Sequence, residues 1–527
     1  MKKLTHIPFL ELESIPQLIK DFLTQKIVGF EDKVFNFENV ERQIILKEQS
    51  FSSSYRSVLL QVLKDQYEGC QLTASQNQNI QYLSKDAFTI TTGHQLNLFT
   101  GPSFFVYKIL QTIKFAAVLN EKYSTKKFVP IFWMASEDHD FEEINHFKTE
   151  SNYYETKAKS GGAVGRIKIE DDFFLQQFEE EFENSVFGTE LILLLKRAYR
   201  KGNTLAQATR IIVQELFSEY GLLVIDGDDD RLKAEMKTPF KEELLQQNLY
   251  NTTKETVSFL SHEYGKVQVN PREINLFYLS ETRDRIAFEN GKYVIVDKDL
   301  HFSKEEILEE LESHPERFSP NALMRPVFQE TILPNIAYIG GNAEIMYWLE
   351  LKDYFKHLNL PFPLLIPRNS MLMIPQKTIS KAEKLDLRIT DLFKNFSTLS
   401  KKILLKDNRI LNLLDEQEII LTKHFAQLKN QAESTDKTFG NLVQAEQTRQ
   451  LKSFERMKKR LLRAEKIKQH EKLERLENIF LSVHPGKIWQ ERTYNFSVFY
   501  SDLGKEWLDT CYEGMEIDNS ELIIFTV

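Results

Sequence analysis

Two cysteines in 527 residues, Cys70 and Cys511, match no metal or redox spacing. That scarcity excludes a disulfide framework and a thiolate cluster, and it points to a reducing cytoplasm. No window approaches the ~18 apolar residues of a membrane helix, and MKKLTHIPFLELESIPQ at the start holds no apolar core long enough for a signal peptide. GxxxxGK[ST], GxGxxG and GxSxG are all absent, so the P-loop, the dinucleotide fingerprint and the Ser nucleophile elbow are excluded. An excess of basic charge is also missing: the net charge is −9, which argues against nucleic acid as the main ligand. Glycine is scarce at 19 residues, so glycines that cluster mark places where the backbone needs them.

What is present reads as a soluble globular chain, 42% hydrophobic and 28% charged, long enough for two to four substructures. Its organising stretch is FTITTGHQLNLFTGPS, residues 88–103, where a β-branched run breaks at Gly93, carries His94, Gln95 and Asn97, and breaks again at Gly101. Helical spacing then resumes in YKILQTIKFAAVL. Strand, polar turn, helix is how α/β folds build a site at the carboxyl end of a strand, and the helix start at Pro102-Ser103 would offer unpaired N–H groups to an anion.

The unit recurs. Phe128 to Ala135 is an apolar run ending in Ser136, Glu137, Asp138, His139 and Asp140; Leu222–Ile225 runs into Asp226, Asp228, Asp229 and Asp230. NIAYI meets Gly340-Gly341-Asn342 with Glu344 opening a helix, and PFPLLIP ends at Arg368-Asn369-Ser370. These units predict a Rossmann-like, doubly wound parallel α/β sheet with its site along one edge. The expected organisation is an N-terminal helical layer (1–80), core segments at 81–146, 201–235 and 321–377, and connecting insertions at 147–200 and 236–320. From 378 to 482 apolar residues recur at spacings of three and four in two stretches, Ile379 to Ile403 and Leu451 to Ile479, predicting a long antiparallel α-helical coiled-coil arm. The Lys/Arg run at 452–468 reads as the solvated face of that arm, with a nucleic-acid face as the other reading. Residues 483–527 return to the body as strand.

The chemistry of the strand ends stays open at this point. SEDHDFEEINH suits a polar substrate or nucleotide, a divalent metal or a solvated loop, and its spacing matches no HExxH motif. DGDDD suits Mg²⁺, a ribose, an ammonium group or an acidic helix cap. IGGNAE lets a ligand approach the backbone at a helix start.

Together, TTGHQLNLFTGPSFFVYKILQTI, PIFWMASEDHDFEEINH, LMRPVFQETILPNIAYIGGNAEIMYWL, PLLIPRNS and HPGKIWQERTYN resemble the bacillithiol biosynthesis cysteine-adding enzyme family along almost the whole chain. His94 departs from the family's pattern, standing where a TGQQ-like turn carries Gln. The resemblance implies a core similar to class I aminoacyl-tRNA synthetases, a coiled-coil arm used for homodimerisation, and amide formation between cysteine and glucosaminyl-malate. It also implies ATP with Mg²⁺ as activating cosubstrate, no tightly bound metal, and no nucleic-acid or membrane partner. On that scheme His94, Asp138 and His139 are catalytic. Gly93, Gln95, Asn97, Gly101, Glu137, Asp226, Asp228, Gly340, Gly341, Asn342, Glu344, Arg368 and Ser370 bind substrate or nucleotide. Gln490, Arg492 and Asn495 would form a second nucleotide pocket. Arg368-Asn369-Ser370 stands where a KMSKS loop lies, without its lysines. The alternatives are another ATP-dependent ligase or nucleotidyl transferase on this fold, or a coiled-coil adaptor with an inactive core.

Overall fold

The computed structural model describes residues 1–158, 161–170, 173–432, 434–435 and 437–527. Five parallel strands carry the site: β1 (Phe88–His94), β2 (Phe128–Met134), β3 (Leu223–Asp226), β4 (Asn335–Gly340) and β5 (Leu364–Pro367). Their order is β5-β4-β1-β2-β3. The chain starts in the middle, builds outward through β2 and β3, then returns to add β4 and β5 on the other side. The direction of winding therefore reverses between β1 and β4, and the crevice beyond their carboxyl ends is the place where such sheets bind ligands. The strands read as apolar runs because both faces are covered; every residue of β2 is buried. Pro130, which cannot donate to a ladder, lies one residue before pairing with β3 begins at Ile131.

Helix α1 (Phe37–Ser50) packs on the sheet, and α2 (Phe104–Lys122), α3 (Met324–Ile332) and α4 (Asn342–Leu349) line the crevice. Val40 and Ile44 of α1 pack with Phe115 and Leu119 of α2 against Ile90, Ile336 and Leu364 of the sheet. Side chains of this size contribute about 1.5–3 kcal/mol each when fully buried.

The first insertion holds a two-stranded ribbon, His146–Lys148 with Tyr153–Glu155, and the helices Phe173–Phe182 and Gly188–Ala198. The second holds a five-stranded sheet that includes Arg283–Glu289 and Leu276–Leu279. KVQVN, strand-like in sequence, is irregular here. At the chain's start the helical layer gains a strand that its sequence did not announce, Lys2–Pro8, paired antiparallel with Glu521–Thr526.

Residues Ile374–Trp489 form a separate compact unit. Its long helices are α5 (Arg409–Ala432) and α6 (Lys437–Lys468). Asp415 lies 2.5 Å from Lys458, and Lys429 donates to Gln444 at 3.0 Å, so the two run antiparallel. The apolar stretch Ile379 to Ile403 is not one helix. It is cut into Gln376–Glu383, Ile389–Phe393 and Phe396–Leu404, with Asp386 between the first two pieces at a φ of +60°. Hydrophobic spacing fixed which residues turn inward, but a single left-handed residue ends a helix whatever the spacing.

One buried polar network ties α1, α3 and the sheet together. Lys47 donates to the Glu330 carbonyl at 3.1 Å and carboxylate at 3.3 Å; Asn335 Nδ2 donates to Glu330 at 2.7 Å, and Thr91 donates to Asn335 at 2.8 Å. Burial pushes Lys47 down and Glu330 up from their ordinary values, and each partner's charge opposes the shift. Removing one member strands the other in a dry interior, which costs about 3–5 kcal/mol. Urea unfolding of Lys47→Met should show a loss of about 3 kcal/mol, and adding Glu330→Gln should recover at least half of it.

Candidate active site at the switch point

The centre of the crevice is an ammonium group. Lys108 of α2 is buried, donates to the Gly93 carbonyl at the end of β1, and reaches both carboxylate oxygens of Glu344 on α4 at 2.6 and 2.7 Å. Tyr338 of β4 donates to the same carboxylate at 2.6 Å, and the Gly341 N–H does so at 3.3 Å. Burial alone would lift the Glu344 carboxyl; the Lys108 charge and the Lys108 and Tyr338 hydrogen bonds outweigh it and hold it below its usual range. Burial also draws the Lys108 ammonium down, with Glu344 opposing. The pair stands as carboxylate and ammonium, since either neutral partner would leave the other charge buried alone.

Above this pair lies a cavity of about 350 Å³ lined by Gly93, His94, Gln95, Glu137, Asp138, Gly341 and Glu344, all expected from the sequence. It is also lined by Arg283, Arg325, Tyr338 and Tyr347, which were not. Arg325 donates to Gln329 at 3.0 Å and to Tyr347 at 3.3 Å. Arg368 makes a two-pronged bond to Glu491 at 2.8 and 3.1 Å and lies over the Phe104 ring, as does Arg492 on the rim. Asp138 accepts from Gln95 Nε2 at 2.7 Å and from the His139 N–H at 2.7 Å.

His94 packs against Phe104 and Phe105. Although the residue is only part-buried, its Nε2 is closed to solvent and has no hydrogen-bond partner among the described residues. Desolvation, reinforced by Lys108, lowers its pKa to about 3. At neutral pH it is an uncharged imidazole and cannot act as a general acid.

Several expected site residues do other work. The helix start at Pro102-Ser103 is not open to an anion: the Ser103 N–H donates to the Tyr494 carbonyl at 2.8 Å, and those of Phe105 and Val106 close on Pro102 and Ser103. Asn97 and Gly101 are turn scaffolding, in a bend where Phe99, Thr100 and Gly101 all have positive φ. A Cβ on Gly101 would lie 2.8 Å from that of Asn97. Gly340 and Asn342 do not line the cavity, and at the helix start between them the Gly341 N–H, which could meet a phosphate, donates to the Glu344 carboxylate instead.

Asp226 and Asp228 lie outside this cavity too. Asp228 is gripped by Arg166 at 2.6 and 2.7 Å and by Lys233 at 3.0 Å; burial opposes this, yet those partners hold its pKa low. Asp226 accepts from Ser136 and from the Asp228 N–H, and burial raises its pKa. Lys233 also lies 2.7 Å from Glu137, whose pKa burial raises against the Lys233 charge.

Ser370 donates to Glu491 at 2.9 Å. Gln490 exchanges two hydrogen bonds of 3.0 Å with the Met373 backbone. Asn495 Nδ2 donates to the carbonyls of Phe99 at 2.7 Å and Gly101 at 2.6 Å. Gln490 and Asn495 are therefore buried backbone clamps, and the third member of the expected second pocket, Arg492, joins the first.

Residues 4–369 match the family model of the bacillithiol biosynthesis BshC N-terminal Rossmann-like domain, and residues 371–527 that of the BshC C-terminal coiled-coil domain. The chain belongs to the BshC family. A relative from Flavobacterium johnsoniae bearing the name "Putative cysteine ligase BshC" is 43% identical over 495 residues, 93% of each chain. Another of that name, from Christiangramia forsetii, is 39% identical over 533 residues, 99% of this chain and 98% of its own. A BshC of the same name from Staphylococcus haemolyticus is 27% identical over 463 residues, 85% of this chain and 86% of its own.

The neutral His94 makes a signed prediction. Below its ordinary value of 6.5 the unfolded chain takes up a proton that the folded protein refuses until about pH 3. Its contribution to stability is therefore present at neutral pH and lost as pH falls through that window. Urea unfolding at pH 7 and pH 4 should show the wild type losing about 3 kcal/mol more on acidification than His94→Gln.

Proposed function

We propose that this chain joins the carboxyl of cysteine to the amine of glucosaminyl-malate, forming an amide. The observation that carries this reading is one cavity at the sheet's switch point that combines Arg325, Arg368 and Arg492 with the carboxylate of Asp138. The malyl arm brings two carboxylates, which arginine donors match. The amine arrives as an ammonium ion and must lose a proton before it can attack. Asp138, with lone pairs left after its bonds from Gln95 and the His139 N–H, accepts that proton. The free amine then attacks the activated carbonyl carbon, the bond from that carbon to the activating group's oxygen breaks with its electron pair leaving on that oxygen, and the departing group takes up the second proton that the nitrogen sheds as the amide forms. His94, held neutral, adds no charge to the cavity.

A free carboxylate does not condense with an amine in water without activation, and ATP with Mg²⁺ is the cosubstrate the family's fold implies. The two turns expected to hold its phosphates do not fit that role: Tyr494 covers the helix start at Ser103, and the Gly341 N–H donates to the Glu344 carboxylate. The convergence of polar groups on a single cavity favours an enzyme over an adaptor with an inactive core. No helix among the described residues is long and apolar enough to cross a membrane, and we assign the protein to the cytoplasm from its metabolic role.

The arm supports a homodimer. On α5, Leu411, Leu414, Leu421 and Phe425 turn inward, while Ile410, Leu413, Ile420 and Leu428 form a second apolar stripe that is 44–58% exposed. A stripe of this spacing is what a second coiled-coil surface needs. Sedimentation equilibrium should find a dimer for the wild type and a monomer for Leu413→Glu/Ile420→Glu.

The activity is tested by mass spectrometry of protein with cysteine and glucosaminyl-malate, with and without ATP and Mg²⁺. Amide appearing with ATP supports the ligase and its cosubstrate, and Asp138→Asn should lower kcat by about 10²–10⁴-fold. Turnover of a different acid or amine with none of cysteine would replace this substrate pair, and no amide under any condition would remove the reading.

A further inference from the structure

Arg283 comes from the second insertion, at the start of the strand Arg283–Glu289, yet it lines the switch-point cavity, which its neighbour in space His139 does not. Its guanidinium is buried and held on three sides. Nε donates to Ser319 Oγ at 2.9 Å, one Nη2 hydrogen to the Pro320 carbonyl at 2.7 Å, and one Nη1 hydrogen to His139 Nδ1 at 2.8 Å. It also lies 4.0 Å from the centre of the Phe277 ring. A guanidinium only donates, so His139 Nδ1 must be the acceptor and the neutral imidazole carries its proton on Nε2. The other charged groups facing the imidazole are Asp138, 3.7 Å from Nδ1, and Asp140, 3.9 Å from Nε2. Of Arg283's five N–H groups, one on each terminal nitrogen remains without an acceptor among the described residues.

We propose that Arg283 binds a carboxylate oxygen of a substrate in the cavity, and that His139 is a positioning residue that acts by aiming Arg283. The inference rests on the amide-forming reading for its substrates but on geometry alone for the division of roles. A fork fixed at three points and carrying free donors is pre-organised for a carboxylate. An imidazole with Nδ1 committed to a cation cannot serve as a base through that atom. The carboxylate has two sources, the malyl arm or cysteine.

Three measurements separate the outcomes. ¹⁵N spectra of the full-length protein labelled in histidine, with His139 assigned by its absence in His139→Asn, should show an unprotonated Nδ1 and a protonated Nε2. A proton on Nδ1 overturns the proposal without reference to any substrate. Calorimetric titration of L-malate and of L-cysteine into Arg283→Gln and Arg283→Lys should show at least about tenfold weaker binding of one of them, and which one names the source. Unchanged binding of both, in variants that melt as the wild type does, overturns it too.

Kinetics test His139. Asn places an acceptor oxygen near the position of Nδ1 but has no acid–base chemistry. His139→Asn should therefore stay within about threefold of wild-type kcat/KM with an unaltered pH profile, while His139→Ala loses about tenfold or more, mainly in KM. If Asn is as damaging as Ala and a limb of the pH profile disappears, His139 is an acid–base group and the proposal fails. If the wild type makes no amide at all, the cysteine-ligase reading fails, and the nitrogen spectra and malate titration still decide the roles of Arg283 and His139.

Discussion

A lysine that cannot be solvated dictates much of this site. The Lys108 side chain of α2 is buried, and its three hydrogens are met by the carbonyl that ends β1 and by a carboxylate from α4. That single cluster joins the two strands between which the sheet changes its direction of winding. It also determines what the crevice can accept. The helix start at Gly341, which in a nucleotide-binding fold would meet a phosphate, is neutralised from within by Glu344. Positive charge is supplied instead by arginines on the walls, whose planar forks match carboxylates as well as phosphates. At the switch point of this sheet, the helix start is thus met by a carboxylate of its own helix, and the free positive charge stands on the cavity walls.

The parts of the molecule legible from sequence were those with an unambiguous physical signature. Parallel strands buried on both faces appear as apolar runs, and their carboxyl ends appear as abrupt polar turns, which is why Gly93, His94, Gln95, Glu137, Asp138 and Glu344 were found. Lys108 was hidden because a lysine in a mixed helical stretch such as YKILQTIK, which also holds Lys114, looks like part of its solvent edge. Arg283 was hidden in RDRIAFE, whose alternation reads as a half-exposed strand, and only the tertiary fold brings it to the core. Arg325 and Tyr347 share this difficulty: their helical spacing is correct, but what they face is set by elements remote in sequence. DGDDD misled for the opposite reason. Its carboxylates are conspicuous in sequence, yet Arg166 and Lys233 already neutralise Asp228.

The two histidines of the candidate site show how environment divides identical side chains. His94 is pressed between phenyl rings and beside an ammonium ion, and so is held neutral. A glutamine offers comparable polarity without charge, which gives a physical reason why a TGQQ-like turn and the TGHQ of this chain suit one fold. His139 faces a guanidinium on one nitrogen and Asp140 on the side of the other, and its neighbours fix its tautomer. Neither assignment was available from residue type.

The clamp made by Asn495 has a consequence for how the protein is made. Its amide holds the carbonyls of Phe99 and Gly101, which precede it by 396 and 394 residues. At roughly 5–20 residues per second of translation, the bend beside the site waits on the order of 20–80 s for the residue that fastens it. Throughout that interval the left-handed run at Phe99 and Thr100 has no such support, and the crevice has neither Glu491 for Arg368 nor Arg492 for its rim. The site is therefore completed at the end of synthesis. A chain that ends within the coiled-coil arm lacks Asn495, Glu491 and Arg492, and with them the clamp on the bend, the partner of Arg368 and one wall of the cavity.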